Sequence, residues 1–220
     1  MGRRLSSPLV ASAALAATFF TFAASARAAT PADYTLTRTF SLPTSTSPSG
    51  TVLIDALADG RLLAVNETQV LRETAVGSGT FASLGNIPNF APTFGPSFLS
   101  ISPDGTRAAV GSNFGGSITV FNTASPATAT NYAINDTDGT WIDNSRLAVS
   151  NNNGVQVLNT ATSSVTTVVN NVGGASAGIT FDANGNLYTG NGFDTAAGGT
   201  GTGYVKAFAK TAWETAAAGG

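Results

Sequence analysis

The sequence contains no cysteine and no histidine, and these two absences exclude more chemistry than any motif in it establishes. Without cysteine there is no disulfide, no thiolate nucleophile and no cysteine-ligated cluster. Without histidine there is no Ser-His-Asp triad, no histidine-ligated zinc or copper, and no attached c-type haem. Any catalysis or metal binding must therefore use carboxylate, amide, hydroxyl or backbone oxygen groups.

Charged residues are also scarce, at 10% of the 220 residues, with 10 basic against 12 acidic side chains. Lys206 and Lys210 are the only lysines, so neither nucleic acid nor an anionic membrane surface is an expected partner. Hydrophobic residues make up 42% of the chain, and glycine accounts for 25 residues. Small polar residues between regularly placed Val, Ile, Leu and Phe are typical of an exported all-β protein rather than of a disordered chain.

Residues 1–28 have the pattern of a secretory signal peptide. Two arginines precede an apolar run at residues 9–24, and residues 26–28 (Ala-Arg-Ala) supply a small-x-small cleavage motif. Because the run is short for a membrane span, cleavage after Ala28 is favoured over a transmembrane anchor. We predict a secreted, periplasmic or cell-surface protein with no span after cleavage, in which residues 29–49 form an N-terminal strand or linker.

A short signature recurs four times beyond residue 50: an apolar stretch, a turn of Asp or Asn with Gly or Ser, and a second apolar stretch. Asp-Gly and Asn-Gly tolerate the positive φ angles of tight turns, and the flanking segments carry β-branched and apolar residues. Each copy is therefore predicted to be a β-hairpin. The turns contain Asp59-Gly60, Asp104-Gly105, Asp143-Asn144-Ser145 and Asn184-Gly185.

A third strand is predicted after each hairpin, followed in two units by a less regular fourth strand. Four antiparallel strands every ~40–45 residues is the period of a propeller blade. The predicted fold is an all-β propeller of about four visible four-stranded blades, with a β-sandwich as the alternative. The third strands are predicted at 68–71, 117–121, 154–158 and 203–208, the fourth strands at 131–134 and 164–169, and the blades at about 50–95, 96–137, 138–175 and 176–220.

Two segments carry a family resemblance. Residues 101–111 (Ile-Ser-Pro-Asp-Gly-Thr-Arg-Ala-Ala-Val-Gly) and 116–123 resemble the blade consensus of YVTN-type and quinoprotein-amine-dehydrogenase-like β-propellers. Residues 180–188 resemble the hairpin of NHL-type and gluconolactonase-like propellers. The resemblance covers roughly residues 50–210 and implies the fold, but that superfamily hosts enzymes, binding proteins and scaffolds alike. The Trp-Asp end of WD40 blades is absent.

Four blades are few for propellers of this kind. An open arc of blades would expose strand edges and apolar end faces. We therefore expect the chain to be the N-terminal portion of a longer propeller, with residues 213–220 beginning a further strand. The alternative is that residues 34–42 complete the last blade as a strap.

Clusters of Asp and Asn are the candidate binding sites. Residues 182–186 (Asp-Ala-Asn-Gly-Asn) open like a calcium loop, but Phe193 stands where the last carboxylate ligand would be, so a hairpin turn is predicted. Loops at 113–116, 151–154 and 191–194 are predicted to lie on one face of the disc. Oxygen atoms of the last loop are candidates for binding calcium or sugar hydroxyls.

Five single residues are also notable. Asp55 lies on a predicted inner strand, where it either lines the channel or faces solvent. Asp136 and Asp138 flank a blade connection and are expected to be solvated. Trp141 and Trp213 are expected to pack between blades, with stacking on a sugar as the alternative.

The lack of a catalytic constellation favours a binding or interaction module without its own catalysis, acting on a protein or carbohydrate partner. No catalytic, cofactor-binding or metal-binding residue is assigned, and no cofactor other than calcium is considered. One alternative, implied by the resemblance, is a calcium-dependent lactonase or hydrolase of gluconolactonase-like type, for which Asp55 and residues 191–194 are the only hints. The other alternative is a structural envelope or matrix component.

Overall fold

The structure is a computed structural model that describes residues 40, 42, 51–92, 95–113, 116–151, 154–170, 172, 175–193 and 203–219, without the side chains of 175–177 and 191–193. The predicted signal peptide, and all of the predicted strap except Phe40 and Leu42, lie outside these residues. Within the described part of the chain, no helix is long and apolar enough to cross a lipid bilayer.

The described residues form fifteen strands in four antiparallel sheets that follow one another along the chain. The first sheet contains β1 (Val52–Ala56), β2 (Leu62–Asn66), β3 (Gln69–Glu73) and β4 (Phe81–Asn86). The second contains β5 (Leu99–Ile101), β6 (Arg107–Gly111), β7 (Ile118–Asn122) and β8 (Ser125–Tyr132). The third contains β9 (Asp138–Trp141), β10 (Arg146–Ser150), β11 (Gly154–Asn159) and β12 (Ser164–Asn170). The fourth contains β13 (Ala175–Phe181), β14 (Leu187–Phe193) and β15 (Tyr204–Phe208), and α1 (Lys210–Ala217) follows it.

Burial explains the sequence pattern of these strands. The second strand of each of the first three sheets is buried at four of its five residues. In the second and third sheets, neighbouring sheets pack on both faces of this strand. In contrast, β1 alternates exposed and half-buried residues, and β12 exposes four of its seven residues. Apolar residues are therefore concentrated in the middle of each sheet and become sparser toward its edges.

An aspartate closes each of the four predicted hairpins. Its carboxylate accepts a hydrogen bond from the backbone N–H two residues further on, at 2.8–3.0 Å, which is the usual way Asp stabilises a turn. The aspartates are Asp59, Asp104, Asp143 and Asp182. Three of the turns also contain a glycine with positive φ, at Gly60, Gly105 and Gly185. The predicted hairpins are confirmed.

The first strands of consecutive sheets lie side by side, with β1 next to β5, β5 next to β9 and β9 next to β13. The outer strands β4 and β8 also contact each other. Three apolar layers fill the spaces between consecutive sheets, around Val65, Leu147 and Leu187 respectively. In a β-propeller, successive sheets pack face to face and their first strands lie side by side around a central channel. The four sheets have this arrangement, so the predicted fold is confirmed.

Antiparallel strands place successive connections at opposite ends of a blade. Turns between the first and second strands, and between the third and fourth, lie at one end, which we call the turn face. Connections between the second and third strands, and from one blade to the next, lie at the other end, which we call the loop face. Residues 143–145 and 160–163 are therefore on the turn face, and residues 133–137 are on the loop face.

Three elements differ from the sequence prediction. β4 is absent from the prediction because its six residues are mostly exposed, and a bulge interrupts its pairing with β3. β8 begins at Ser125 rather than at residue 131. In the fourth blade the described residues form three strands, and α1 occupies the segment where a further strand is expected, since its Lys, Ala and Glu residues favour a helix.

Candidate functional site

The segment that resembles the start of a calcium loop is a hairpin turn, as predicted. Oδ1 of Asp182 accepts hydrogen bonds from the backbone N–H groups of Asn184 and Asn186, both at 2.9 Å. Oδ2 accepts from the Asn186 side chain at 2.9 Å and from the Tyr188 hydroxyl at 3.2 Å. Hydrogen bonding, led by the Asn186 side chain, lowers the pKa of Asp182. These four bonds occupy the carboxylate in the turn.

The described residues of two predicted loops, 113 and 116 and then 151 and 154, lie at the connection between the second and third strands of their blades and therefore on the loop face, while residues 191–193 are the end of β14 at the same end of blade 4. Asn151 closes one of them, because its backbone N–H donates to the Gly154 carbonyl at 3.0 Å and its Oδ1 accepts from the Gly154 N–H at 2.9 Å. Asn113 adopts a left-handed φ of 49° at the start of another. Of residues 191–194, the first three are described by their backbone only and Asp194 lies outside the described residues, so calcium or sugar binding there stays a prediction.

Asp55 and Asp138 link the first strands of neighbouring blades. Asp55 accepts a hydrogen bond from the Ile101 N–H at 2.9 Å, which joins β1 to β5. Asp138 accepts one from the Ile179 N–H at 2.9 Å, which joins β9 to β13. Both aspartates are half-buried on strands nearest the channel. Each one fixes the position of the next blade.

Asp136 is buried, at 1% exposure, so the prediction that it is solvated is wrong. Its carboxylate accepts hydrogen bonds from the Ser97 hydroxyl and from the backbone N–H groups of Ser112 and Asn113. These donors precede β5 and begin the β6–β7 loop. Asp136 therefore ties two segments of blade 2 to the connection that leads into blade 3. Burial raises its pKa, an effect that these hydrogen bonds oppose.

Asp136 and Asp138, the described aspartates at the loop-face end of β9, lie in similar environments. General acid–base catalysis by two carboxyl groups needs contrasting environments, so that one is protonated while the other is ionised. Burial is the largest influence on the pKa of both Asp136 and Asp138, and it raises both. Among the described residues, no group of three or more acidic side chains is placed to hold a metal ion. The arrangement is suited to positioning blades.

The two tryptophans are buried, with exposures of 7% for Trp141 and 2% for Trp213. Trp141 packs between blades 2 and 3, as predicted, and its Nε1 donates to the Ser100 carbonyl at 2.9 Å. Trp213 lies on α1, and its Nε1 donates to the Gly185 carbonyl at 2.9 Å. Because neither ring is presented at the surface, neither serves as a stacking platform for a sugar.

Sequence reasoning missed the arginines that begin the second strands of blades 2 and 3. The guanidinium carbon of Arg107 lies 5.2 Å from the ring centre of Trp141, and that of Arg146 lies 6.0 Å from the ring centre of Trp213, within range of a cation–π contact. The signal was available, since an arginine stands at the start of the second strand, or directly before it, in each of the first three blades. Beside Arg146, blade 3 and α1 enclose a cleft of about 150 Å³.

No protein-family model and no curated protein sequence matches the chain. Solved structures do match its fold. Hydrazine synthase of Kuenenia stuttgartiensis has a TM-score of 0.62 at 13% identity, over 77% of this chain and 49% of that one. The nidogen/laminin complex has a TM-score of 0.56 at 13% identity, over 72% and 61%. Virginiamycin B lyase from Staphylococcus aureus has a TM-score of 0.52 at 17% identity, over 74% and 57%.

The chain thus spans from about half to three fifths of the length of these solved chains. Similarity at such low identity establishes a shared fold and leaves the activity open. The four blades, their shared line of first strands and these structural matches lead to one conclusion. The chain is a β-propeller protein.

Proposed function

We propose that this chain is an exported binding module that presents the loop face of its propeller to a protein or carbohydrate partner and has no catalysis of its own. The observation that carries the proposal is the use of its aspartates. Seven of them hold turns or blade junctions, and each accepts hydrogen bonds from backbone N–H groups. They are Asp55, Asp59, Asp104, Asp136, Asp138, Asp143 and Asp182. These seven carboxylates are thus used to build the scaffold, which favours a binding role over catalysis by them.

The structural neighbours include enzymes as well as one binding assembly, and the assembly supports this proposal. One of them is part of a complex between nidogen and laminin, which is an assembly of two proteins. A variant of virginiamycin B lyase with a histidine changed to alanine is described as catalytically inactive. Because this chain has no histidine, a lyase reaction that depends on such a residue is not proposed for it.

Export is part of the proposal and rests on the signal-like pattern of residues 1–28. We expect the mature protein to begin at Ala29 and to occur in the secreted, periplasmic or cell-surface fraction. N-terminal sequencing of the protein from its natural source tests this expectation. A mature chain that retains residues 1–28 in the cytoplasmic fraction would contradict it.

The lack of cysteine allows a site-specific test of loop-face binding. Asn135→Cys places a single thiol on the loop face, and Ala124→Cys places one on the turn face, both at exposed positions. Each variant is labelled with a photo-crosslinker and incubated with the envelope fraction of the natural source. We expect a discrete adduct from position 135 and none from position 124. Equal adducts from both positions, or adducts only from position 124, would overturn the assignment to the loop face.

The calcium-dependent lactonase alternative makes a different prediction. A cation that binds the folded state raises the unfolding temperature by mass action. For a binding module without a calcium site, we expect the same midpoint with excess calcium or with chelator, and no hydrolysis of simple lactones. A rise in the midpoint that accompanies calcium-dependent lactone hydrolysis would replace the proposal with the lactonase.

A further inference from the structure

The cleft on the turn face lies between α1 and the outer part of blade 3. Arg146 and Asn159 pair across β10 and β11, and Val157 and Thr166 pair across β11 and β12 in the next row of the same face. The helix α1 packs against β12 and contributes Glu214 to the opposite wall. The polar groups of the cleft therefore come from two elements that the packing of α1 holds together.

Asp143 and Trp213 hold the side chain of Arg146 in position in this cleft. Its Nε donates to Oδ2 of Asp143 at 2.7 Å, and its guanidinium lies over the buried ring of Trp213. Its Nη2 is 3.9 Å from Oε1 of Glu214, which is too long for a hydrogen bond. Among the described residues, the Glu214 carboxylate accepts no hydrogen bond. Two opposite charges therefore face each other across a gap, with unused donor and acceptor capacity.

Two further polar groups line the cleft. Oδ1 of Asn159 accepts hydrogen bonds from the N–H groups of Ala161 and Thr162 at 3.0 and 3.3 Å. The Nδ2 amide of the same side chain has no acceptor within the described part of the chain. The Thr166 hydroxyl likewise has no partner among the described residues. Val157 and two alanines at the end of α1 supply the apolar part of the wall. The cleft thus combines donors, acceptors and a small apolar surface.

We infer that this cleft binds a neutral polyhydroxylated ligand, a hexose unit of a saccharide. Glu214 disfavours an anion, and Arg146 disfavours a metal cation. A hydroxyl group is both donor and acceptor, so one ligand oxygen can lie about 2.8 Å from both Arg146 Nη2 and Glu214 Oε1. A neighbouring hydroxyl then bonds Asn159 or Thr166, and the C–H face of the sugar ring contacts the apolar wall.

This site lies on the turn face, opposite the loop face, and so it goes beyond the proposed function. The polar groups that define the cleft belong to residues outside the loop-face connections. They are the charged groups of Arg146 and Glu214, the Asn159 amide and the Thr166 hydroxyl. Loop-face binding and saccharide binding in the cleft can therefore fail independently.

The test uses the chain as described, with methyl glucoside, methyl mannoside, methyl galactoside and N-acetylglucosamine as probes. Saturation-transfer NMR detects binding, and titration gives the affinity. A single hexose has few atoms to contribute, so we expect a Kd on the order of 1 mM for at least one probe. Glu214→Gln keeps the shape of the side chain but removes its charge, and Thr166→Val removes the hydroxyl. Each should weaken binding by about tenfold.

Thr211→Ala, on an exposed part of the same helix, is the matched control and should bind the sugar like the unaltered chain. Thermal unfolding of all variants shows that they remain folded. Binding of no probe, or equal binding by Glu214→Gln and the unaltered chain, would overturn the inference. So would NMR shifts at α1 and β12 caused by calcium chloride or sodium phosphate in place of the sugars, because the ligand would then be an ion.

Discussion

The junction between blades 2 and 3 and the junction between blades 3 and 4 use the same pair of residue types in different ways. At the first, Trp141 comes from a strand, and Arg107 both stacks on it and donates Nη1 to Oγ1 of Thr160 at 3.0 Å. At the second, Trp213 comes from a helix, and Arg146 stacks on it at 6.0 Å. The two arginines occupy corresponding positions, as the first residue of the second strand of their blades.

The difference follows from the element that covers each arginine. Blade 3 provides Thr160 from the turn between β11 and β12, so Nη1 of Arg107 is hydrogen-bonded within the fold. The helix α1 provides Glu214, whose carboxylate stops 3.9 Å short of Arg146. The arginine at the first junction therefore donates a hydrogen bond to the following blade, whereas its counterpart at the second junction donates none to α1, although its position in the repeat is unchanged.

The largest expected effect separates the two tryptophans. Trp141→Ala removes a buried ring from the middle of the array and should lower the free energy of unfolding by about 3–5 kcal/mol, measured by urea unfolding with Trp213 fluorescence. Trp213→Ala should act locally, because α1 is attached at one edge of the array. We expect faster hydrogen exchange in α1 and β15 with little change in β6. If Trp213→Ala accelerates hydrogen exchange in β6 as much as in α1, both junctions stabilise the whole array of blades.

The next effect compares the aspartates of the two junctions. Asp136→Ala leaves the buried Ser112 N–H, the half-buried Asn113 N–H and the Ser97 hydroxyl without their acceptor, and should cost about 2–4 kcal/mol. Asp138→Ala removes acceptors for the N–H groups of Ile179 and Gly139 in a half-buried site, where water partly replaces them, and should cost about 1 kcal/mol. Equilibrium urea unfolding measures both. Equal losses would mean that the Asp136 connection is no better shielded from water than the Asp138 link.

A third effect uses two glycines on the first strands. A Cβ on Gly139 would overlap the ring of Phe98, which is buried between blades 2 and 3, whereas a Cβ on Gly178 would meet only Oδ2 of Asp138 at 3.9 Å. Gly139→Ala should therefore destabilise the protein by about 1–3 kcal/mol through overpacking. Gly178→Ala is the matched control and should be nearly neutral in the same thermal unfolding assay. A neutral Gly139→Ala would show that the layer between blades 2 and 3 is loosely packed.

Much of this fold was predictable because each repeat contains a short local sequence pattern that specifies its own hairpin. Apolar pairs around Asp-Gly turns specify the hairpins, and Trp141 is large and apolar enough to predict its burial between blades. The burial of Asp136 was not predictable in this way. Its donors Ser97 and Ser112 are 39 and 24 residues away in sequence. They come within hydrogen-bonding distance of Asp136 only when the blades assemble, whereas an aspartate in a blade connection is by itself expected to be solvated.

The end of the chain was misjudged for a different reason. Residues 204–208 alternate like a strand and residues 210–217 contain good helix formers, so the sequence favours each structure over a few residues and leaves the boundary undecided. The cleft beside Arg146 depends on that boundary, because Glu214 reaches it only if the segment is helical. Candidate sites formed by packing between elements are thus less predictable than the elements themselves.

The smallest expected effect concerns acid stability and Asp143, in the turn before Arg146. Burial acts to raise the pKa of Asp143, but hydrogen bonds from Ser145 and Arg146 outweigh it and lower the pKa to about 2. Because the unfolded value is near 3.8, the ionised carboxylate stabilises the fold above about pH 4, and this stabilisation is lost as the pH falls toward 2. The contribution of Asp136 has the opposite sign, since burial raises its pKa, and is lost as the pH rises through its folded value. Urea unfolding of Asp143→Asn should therefore show a small deficit at neutral pH that disappears near pH 2, and a deficit that is constant over this range would assign the effect to turn geometry instead of charge.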